Sequence, residues 1–444
     1  MKRSNWKHYA VRMLAALLAL SLLGCAADSN ASTQAVTAVH SPSHAEEAAD
    51  DTTGRSAQSQ SRDTQTQSGN ASSGSADSES VVNLAATSSD GAIDASELFS
   101  KRDLQQNAEL DAAISYAVTD GEDISITAEG VYLLSGSAKN VCVTVDAGDE
   151  DRVQLVLDGL DVTNDSRPVI YVKNADKLFV TTASGSENSL SVTGAFTADG
   201  STNTDAVIFS RDDLVLNGLG SLQIRSTDNG ISGKDDIKIT GGVLEVNAAA
   251  HAIEANNSIA IAGGTLTLTS SGKDGLHAEN EDDDRDGWIY ICGGTFHIQV
   301  ADDGIHAVSI LQIDGGTVDI TAAEGIEATW VQINGGSITI NASDDGINGG
   351  QKSRSYTVCV EIHGGSLAIT MGPGDTDGID SNGNLIITGG TISVNAQSPF
   401  DYDGTLTHTG GTILVNGSET SEITNQFGGG PGGGPSGHGN GRRP

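Results

Sequence analysis

A Gly-Gly pair opens the same short pattern eight times, at Gly241, Gly263, Gly293, Gly315, Gly335, Gly364, Gly389 and Gly410. The spacings are 22, 30, 22, 20, 29, 25 and 21 residues, and self-similarity at this period calls for a repeat architecture. After each pair comes an alternating run, such as Leu244 and Val246, Leu266 and Leu268, or Ile338 and Ile340. Period-two alternation predicts a strand with one buried face. A second strand precedes each pair, as in Ile259-Ala-Ile261 and Val331-Gln-Ile333. A third short element lies between them: Asp274-Gly-Leu-His277, Asp303-Gly-Ile-His306, Glu324-Gly-Ile-Glu327, Asp345-Gly-Ile-Asn348 and Asp377-Gly-Ile-Asp380. Three short strands per coil of about 20–22 residues predict an all-β chain folded as a right-handed parallel β-helix. A leucine-rich repeat lacks support because no segment is long enough for a helix on each coil, and a propeller blade needs about twice this period. The polar residue that follows the alternating run after each pair (Asn247, Thr269, Gln299, Thr321, Asn341, Thr370, Asn395, Asn416) predicts a stacked ladder.

The rest of the 444 residues divides around this repeat. Residues 1–24 read as an export signal: Lys2, Arg3, Lys7 and Arg12 precede an apolar run too short to span a bilayer comfortably. The run ends Leu22-Leu23-Gly24-Cys25, which resembles a bacterial lipobox and implies a lipid anchor on Cys25. Residues 25–110 are poor in large apolar side chains and predict a disordered stalk, with a short helix around Ala95–Asn107. The β-helix is expected over 111–427, its first coils irregular as a cap requires. Residues 428–444 predict a disordered Gly/Pro-rich tail. Cys142, Cys292 and Cys359 carry no metal-type spacing and no disulfide is expected among them.

Charge narrows the partners. Lys and Arg number 23 against 59 Asp and Glu, a formal charge of −36. Nucleic acid is excluded as a partner because phosphate binding needs a basic footprint. An acidic surface suits divalent cations, or solubility outside the cell. Aromatics are only 4%, so a broad stacking platform for ligands is not expected.

Several constellations could carry chemistry. Asp282, Asp284 and Asp286, followed by Gly287, place oxygen ligands at alternate positions before a turn glycine, as a calcium loop does. The twelfth position is Gly293 rather than a bidentate Glu, so the loop reads either as an incomplete calcium site or as a solvated acidic turn. The third strands predict two columns, one of Asp274, Asp303, Glu324, Asp345 and Asp377, the other of Glu254, His277, His306, Glu327, Asn348 and Asp380. Stacked like charges about 5 Å apart cost about 1 kcal/mol per pair even in water, so cations bridge them or water screens them; Asp-Gly is also ordinary turn chemistry. His277 and His306 could bind a transition metal or a sugar hydroxyl, or simply face solvent. A uronate lyase would need a basic residue near the acidic face, for which Lys273, Arg285, Lys352 and Arg354 are candidates; a hydrolase would need convergent carboxylates such as Asp302 and Asp303.

Val153-Gln-Leu-Val-Leu-Asp-Gly159, Arg211-Asp-Asp-Leu214, Lys234-Asp-Asp-Ile237, Asp377-Gly-Ile-Asp-Ser-Asn-Gly383 and the recurring Ile-x-Gly-Gly-Thr resemble a bacterial family of carbohydrate-binding domain-containing β-helix proteins. The resemblance covers about Ile124 to Phe427. It implies a pectate-lyase-like fold, export with a lipid anchor, and binding of polysaccharide, including acidic sugars such as polygalacturonate and also cellulose. It further implies Ca2+ ions, carried onto Asp282, Asp284, Asp286, Asp303, Asp345, Asp377 and Asp380. His277, His306, Lys352 and Arg354 are the expected sugar contacts, with no catalytic residue assigned and a monomer expected. A calcium-dependent uronate lyase and an adhesin-like structural protein are the alternatives.

Overall fold

The computed structural model describes residues 92–374 and 376–425. The expected signal segment, Cys25, most of the expected stalk, Asp375 and the 428–444 tail lie outside the described residues. Among the described residues the fold is all-β, and its strands pair in parallel apart from the closing hairpin of Thr412–Val415 with Ser418–Thr420; Asp199 and Thr202 add an antiparallel bridge.

Strands recur in threes. The strand after each glycine pair stacks on the same strand of the next coil, through Val243–Ala248, Thr265–Ser270, Thr295–Gln299, Thr317–Ala322, Ser337–Ala342, Ser366–Met371 and Thr391–Asn395. The strands before the pairs stack likewise, as do the short Asp-Gly strands. The result is a solenoid-like pile of coils around one apolar interior. Alternation sets which side faces in: Val318, Ile320, Ile338 and Ile340 are buried while Asp319 and Thr339 between them are exposed. Asn247, Thr269, Gln299, Thr321, Asn341, Thr370 and Asn395 stand in register along the solvent side, whereas Asn416 leaves the row and bonds the Ala396 backbone.

The second glycine of each pair turns the chain with a positive φ, from +81° at Gly365 to +102° at Gly264, where an L side chain is strained. The glycine of the Asp-Gly element has another cause. A Cβ at Gly325 would lie 2.4 Å from the carbonyl oxygen of Gly346 and 2.4 Å from Cγ2 of Ile340, so the coils could not close.

One expectation needs correction. The sequence assigns 25–110 to a disordered stalk, yet residues 92–106 form a strap across the outer face of the stack that precedes the glycine pairs. Ile93 and Ala95 are buried in a cluster with Tyr290, Cys292 and Ile310, and Phe99 meets Tyr290 at 6.5 Å between ring centres. Gln106, 4% exposed, accepts from the Gly218 amide and donates to the Thr240 carbonyl. Nor does the expected helix form: this stretch consists of turns and bridges. The strap needs no core of its own because the solenoid wall supplies the apolar partners. Cys142, Cys292 and Cys359 are buried and free.

Candidate functional site

In each Asp-Gly strand the apolar residue points inward. Ile253, Leu276, Ile305, Ile326, Ile347 and Ile379 are all fully buried. The residue that follows therefore points out, and at the corner where the strand begins the carboxylate two before it turns to the same side, as Asp274 and Asp303 do in reaching His277 and His306. Because the strands pair in register, these outward positions line up as two columns. One runs Glu254, His277, His306, Glu327, Asn348, Asp380 and Asp401. Asp274, Asp303, Glu324, Asp345 and Asp377 stand beside it, two residues before the same buried apolar positions.

Over the coils from His251 to Glu327 the columns form the floor of a cleft of about 480 Å³. His277 and His306 both face it, and so does Lys352, which reaches in from the second insertion to place Nζ 2.6 Å from Glu327 Oε1. Asp303 accepts from His306 Nδ1 at 2.6 Å, and Glu327 Oε2 lies 3.1 Å from the same nitrogen. One coil earlier, His277 Nδ1 is 2.7 Å from Asp274 Oδ2. His251 completes the row: its ring stacks on His277 at 4.2 Å, and His277 follows to His306 at 4.9 Å.

Charge is graded along this floor. Burial would raise the Asp274 carboxyl, but the imidazoles of His251 and His277 hold it well below the usual carboxylate range. Burial disfavours a charged His277, yet Asp274 and Glu279 raise its pKa to about 9. Past the histidines the columns are carboxylates, with Asn348 among them donating its amide to Glu324 and Glu327. Burial, reinforced by Glu327, Asp303 and Asp345, pushes Glu324 up to about 7. Burial and the neighbouring Asp377 and Asp344 push Asp345 up to about 6. Burial with Asp345, Asp401 and Asp377 pushes Asp380 up to about 7. The Oδ1 atom of Asp401 is closed to water and has no hydrogen-bond partner. A crowded set of carboxylates fits a hard dication such as Ca2+; on this face the carboxylates that converge are Asp303, Glu324 and Glu327, which would hold it, whereas Asp345, Asp377 and Asp380 continue the columns without converging among the described residues.

The acidic loop is arranged differently. Asp282, Asp284 and Asp286 do not form a convergent ligand group among the described residues. Asp283 pairs with Arg285, Asp286 accepts from Asn280, and the Asp284 carboxylate accepts from the Arg354 amide at 3.1 Å and the Ser355 hydroxyl at 2.6 Å. The loop therefore clasps the second insertion, residues 349–356. Arg354 lies outside the histidine cleft, beside a second depression of about 660 Å³ with Tyr356, Asn382 and Asn384. So the structure brings His277, His306, Asp303 and Lys352 together, continues Asp345, Asp377 and Asp380 along the columns, and sets Arg354 and the Asp282–Asp286 loop apart.

Sequence reasoning missed His251. The signal was present: His251-Ala-Ile-Glu254 stands in the same frame as Asp274-Gly-Leu-His277, with Ile253 paired to Leu276. It also missed Tyr356 and Asn384, whose partnership with Arg354 depends on the fold of the insertion.

Stacked parallel coils carrying an open, charged cleft define an all-β repeat protein with a polar ligand-facing wall. The family profile described as "Carbohydrate-binding domain-containing protein" matches residues 120–376 and 324–425, and the chain belongs to that family. A protein of the same description from Acetivibrio thermocellus is 35% identical over 202 residues, 45% of this chain and 70% of its own length. A solved structure, that of the polysaccharide lyase-like protein from C. thermocellum as a gadolinium derivative, aligns at 29% identity with a TM-score of 0.43. That alignment covers 51% of this chain and 93% of the other.

Proposed function

We propose that this chain is an exported surface protein, lipid-anchored through Cys25, whose right-handed parallel β-helix binds polysaccharide with Ca2+ as cofactor and acts as a monomer. The observation that carries the reading is the run of in-register carboxylates from Glu324 to Asp401, pushed toward neutrality by burial and then by one another, on one face of a carbohydrate-binding family fold. The polymer class favoured is acidic, such as polygalacturonate, with cellulose-like chains as the neutral alternative. Ca2+, when bound, supplies the positive charge that lets a polyanionic wall meet a polyanionic sugar. Asp303, with Glu324 and Glu327 converging beside it, would hold that charge, and Asp345, Asp377 and Asp380 extend the acidic wall. Lys352 and Arg354 offer cationic donors to uronate carboxylates, and His277 and His306 offer ring N–H groups to hydroxyls.

A lyase would need a base with a lowered pKa. Burial alone would lower that of Lys352, but Glu327 beside it raises it, which keeps the ammonium charged. Binding without catalysis is therefore the favoured reading. The test is thermal unfolding and polygalacturonate binding of residues 26–444 with calcium and with EDTA. Calcium should raise the unfolding temperature and the glycan should raise it further. Uronate binding that survives EDTA would end the bridging idea. Stabilisation by calcium with no glycan effect would favour a structural adhesin, and unsaturated product absorbing in the ultraviolet would establish the lyase.

A further inference from the structure

We propose that the histidine end of the cleft is a site for one first-row transition dication of the zinc class, held by His251, Asp274 and His277. The inference is independent of the glycan reading and concerns different donors from the carboxylate columns.

Two nitrogens already converge on one oxygen. His251 Nδ1 lies 3.3 Å and His277 Nδ1 2.7 Å from the same Oδ2 of Asp274. A tetrahedral ion with bonds of about 2.0–2.1 Å needs its ligand atoms about 3.3 Å apart. The three side chains each offer a ligand atom within 4.8 Å of the others, so small side-chain rotations close the set. The fold holds them in place, since His277 and Glu254 are register partners and His251 sits two residues before Ile253.

A second, independent observation points to a ligand. His251 is 6% exposed and Asp274 3%. His251 Nδ1 is closed to water, and its approach to Asp274 Oδ2 at 3.3 Å lacks the alignment of a hydrogen bond. A buried ring nitrogen without a well-directed hydrogen bond is costly. A metal ion at the point where both Nδ1 atoms face Asp274 would satisfy it.

Lys273 Nζ lies 3.2 Å from His251 Nε2 and would turn away when the ion binds; the carboxylate on the other ring favours the ion. His277 Nε2, the nitrogen away from Asp274, has Glu279 Oε2 at 3.4 Å, the placement of a carboxylate that orients a metal-bound imidazole. The donor set excludes calcium as the preferred guest, because imidazole suits zinc, copper and nickel whereas calcium takes oxygen ligands. The next coil offers a single imidazole, His306, among carboxylates, so the two-nitrogen set is the one assigned. The cleft thus grades from nitrogen donors at one end to oxygen donors at the other.

The experiment is calorimetric titration of Zn2+ into chelator-stripped residues 26–444 with excess calcium present. One zinc ion per chain is expected, and the His251→Gln/His277→Gln double variant should weaken it by about a hundredfold or more. Asp380→Asn, at the oxygen end, should leave zinc unchanged. Co2+ provides a second readout: its visible absorption in the wild type should vanish in the double variant. Asp274→Asn, which retains both imidazoles, guards against loss through misfolding and should also weaken the ion, with circular dichroism unchanged. No zinc uptake by the wild type, or uptake that survives the double variant, would overturn the proposal. Polygalacturonate binding measured in parallel reports on the glycan reading alone.

Discussion

The backbone N–H of Ile93 donates to Oε1 of Gln312 at 2.7 Å across 219 positions of sequence. One coil further on, the amide of Ala92 makes the matching bond to Gln332 at 2.8 Å. The strap is thus held by side-chain acceptors spaced one coil apart on the solenoid wall. Gln312→Ala would leave the Ile93 N–H unpaired where Gln312 is now fully buried, at a cost of about 1–3 kcal/mol. Hydrogen exchange should show the amides of residues 92–104 opening faster, while those of Val318 and Ile338 keep their protection.

Much of the architecture was legible because it is periodic. The glycine pairs mark the turns, the alternation marks the inward face, and the frame of Asp-Gly-Ile predicts both outward columns in register. What was not legible depends on contacts between distant segments. The strap has only Ile93, Leu98, Phe99 and Leu104 as large apolar residues before Gln106, too few to signal order until the wall that receives them is known. The Asp282–Asp286 motif read as an incomplete calcium site or a solvated turn, because the partners of Asp284 are 70 and 71 residues away. The Asp-Gly glycines read as turn formers, whereas Gly325 and Gly346 are required by the close approach of neighbouring coils.

That close approach is open to test at Gly325. The methyl of Gly325→Ala would meet a backbone carbonyl and the Ile340 side chain, both at 2.4 Å, so the coils must separate locally. Overpacking of this kind destabilises by about 1–3 kcal/mol. Urea unfolding should show an earlier midpoint. Ala252, which precedes buried Ile253 as Gly325 precedes buried Ile326, marks the place where one coil accepts the methyl, so Ala252→Gly should cost far less.

Acid-base behaviour follows from a group away from the cleft. Burial, then Asp213 and Asp236, push Asp235 from 3.8 up to about 7, and burial with Asp236 raises Asp213 to about 6 despite Lys177 and Lys238. Their folded pKa values exceed the unfolded ones. Their contribution to stability is therefore fully present below about pH 4 and is lost as pH climbs through 6 to 7. Asp235→Asn removes one ionisation and keeps an oxygen for the Asn257 amide, now 2.5 Å away. The variant should unfold at a higher temperature than wild type at pH 8 in EDTA, and the two should converge toward pH 4. Equal melting curves at pH 8 would mean that the carboxyl is already relieved by water.

Asp284 separates a clasp from an ion loop. Its carboxylate bonds the Arg354 amide and the Ser355 hydroxyl, the Ser353 hydroxyl bonds its carbonyl, and the Tyr356 hydroxyl lies 3.3 Å from the Arg285 carbonyl. These bonds position the insertion that carries Lys352 into one cleft and Arg354 and Tyr356 beside the other. Asp284→Ala should free residues 349–356, raising trypsin cleavage after Lys352 and Arg354 severalfold. Because the bonds are between protein groups, the increase should be the same with calcium as with EDTA. Calcium that protects these sites in the wild type, with the protection lost in Asp284→Ala, would instead assign an ion to the loop. In either case polygalacturonate affinity should fall, since both basic contacts depend on where this insertion is held.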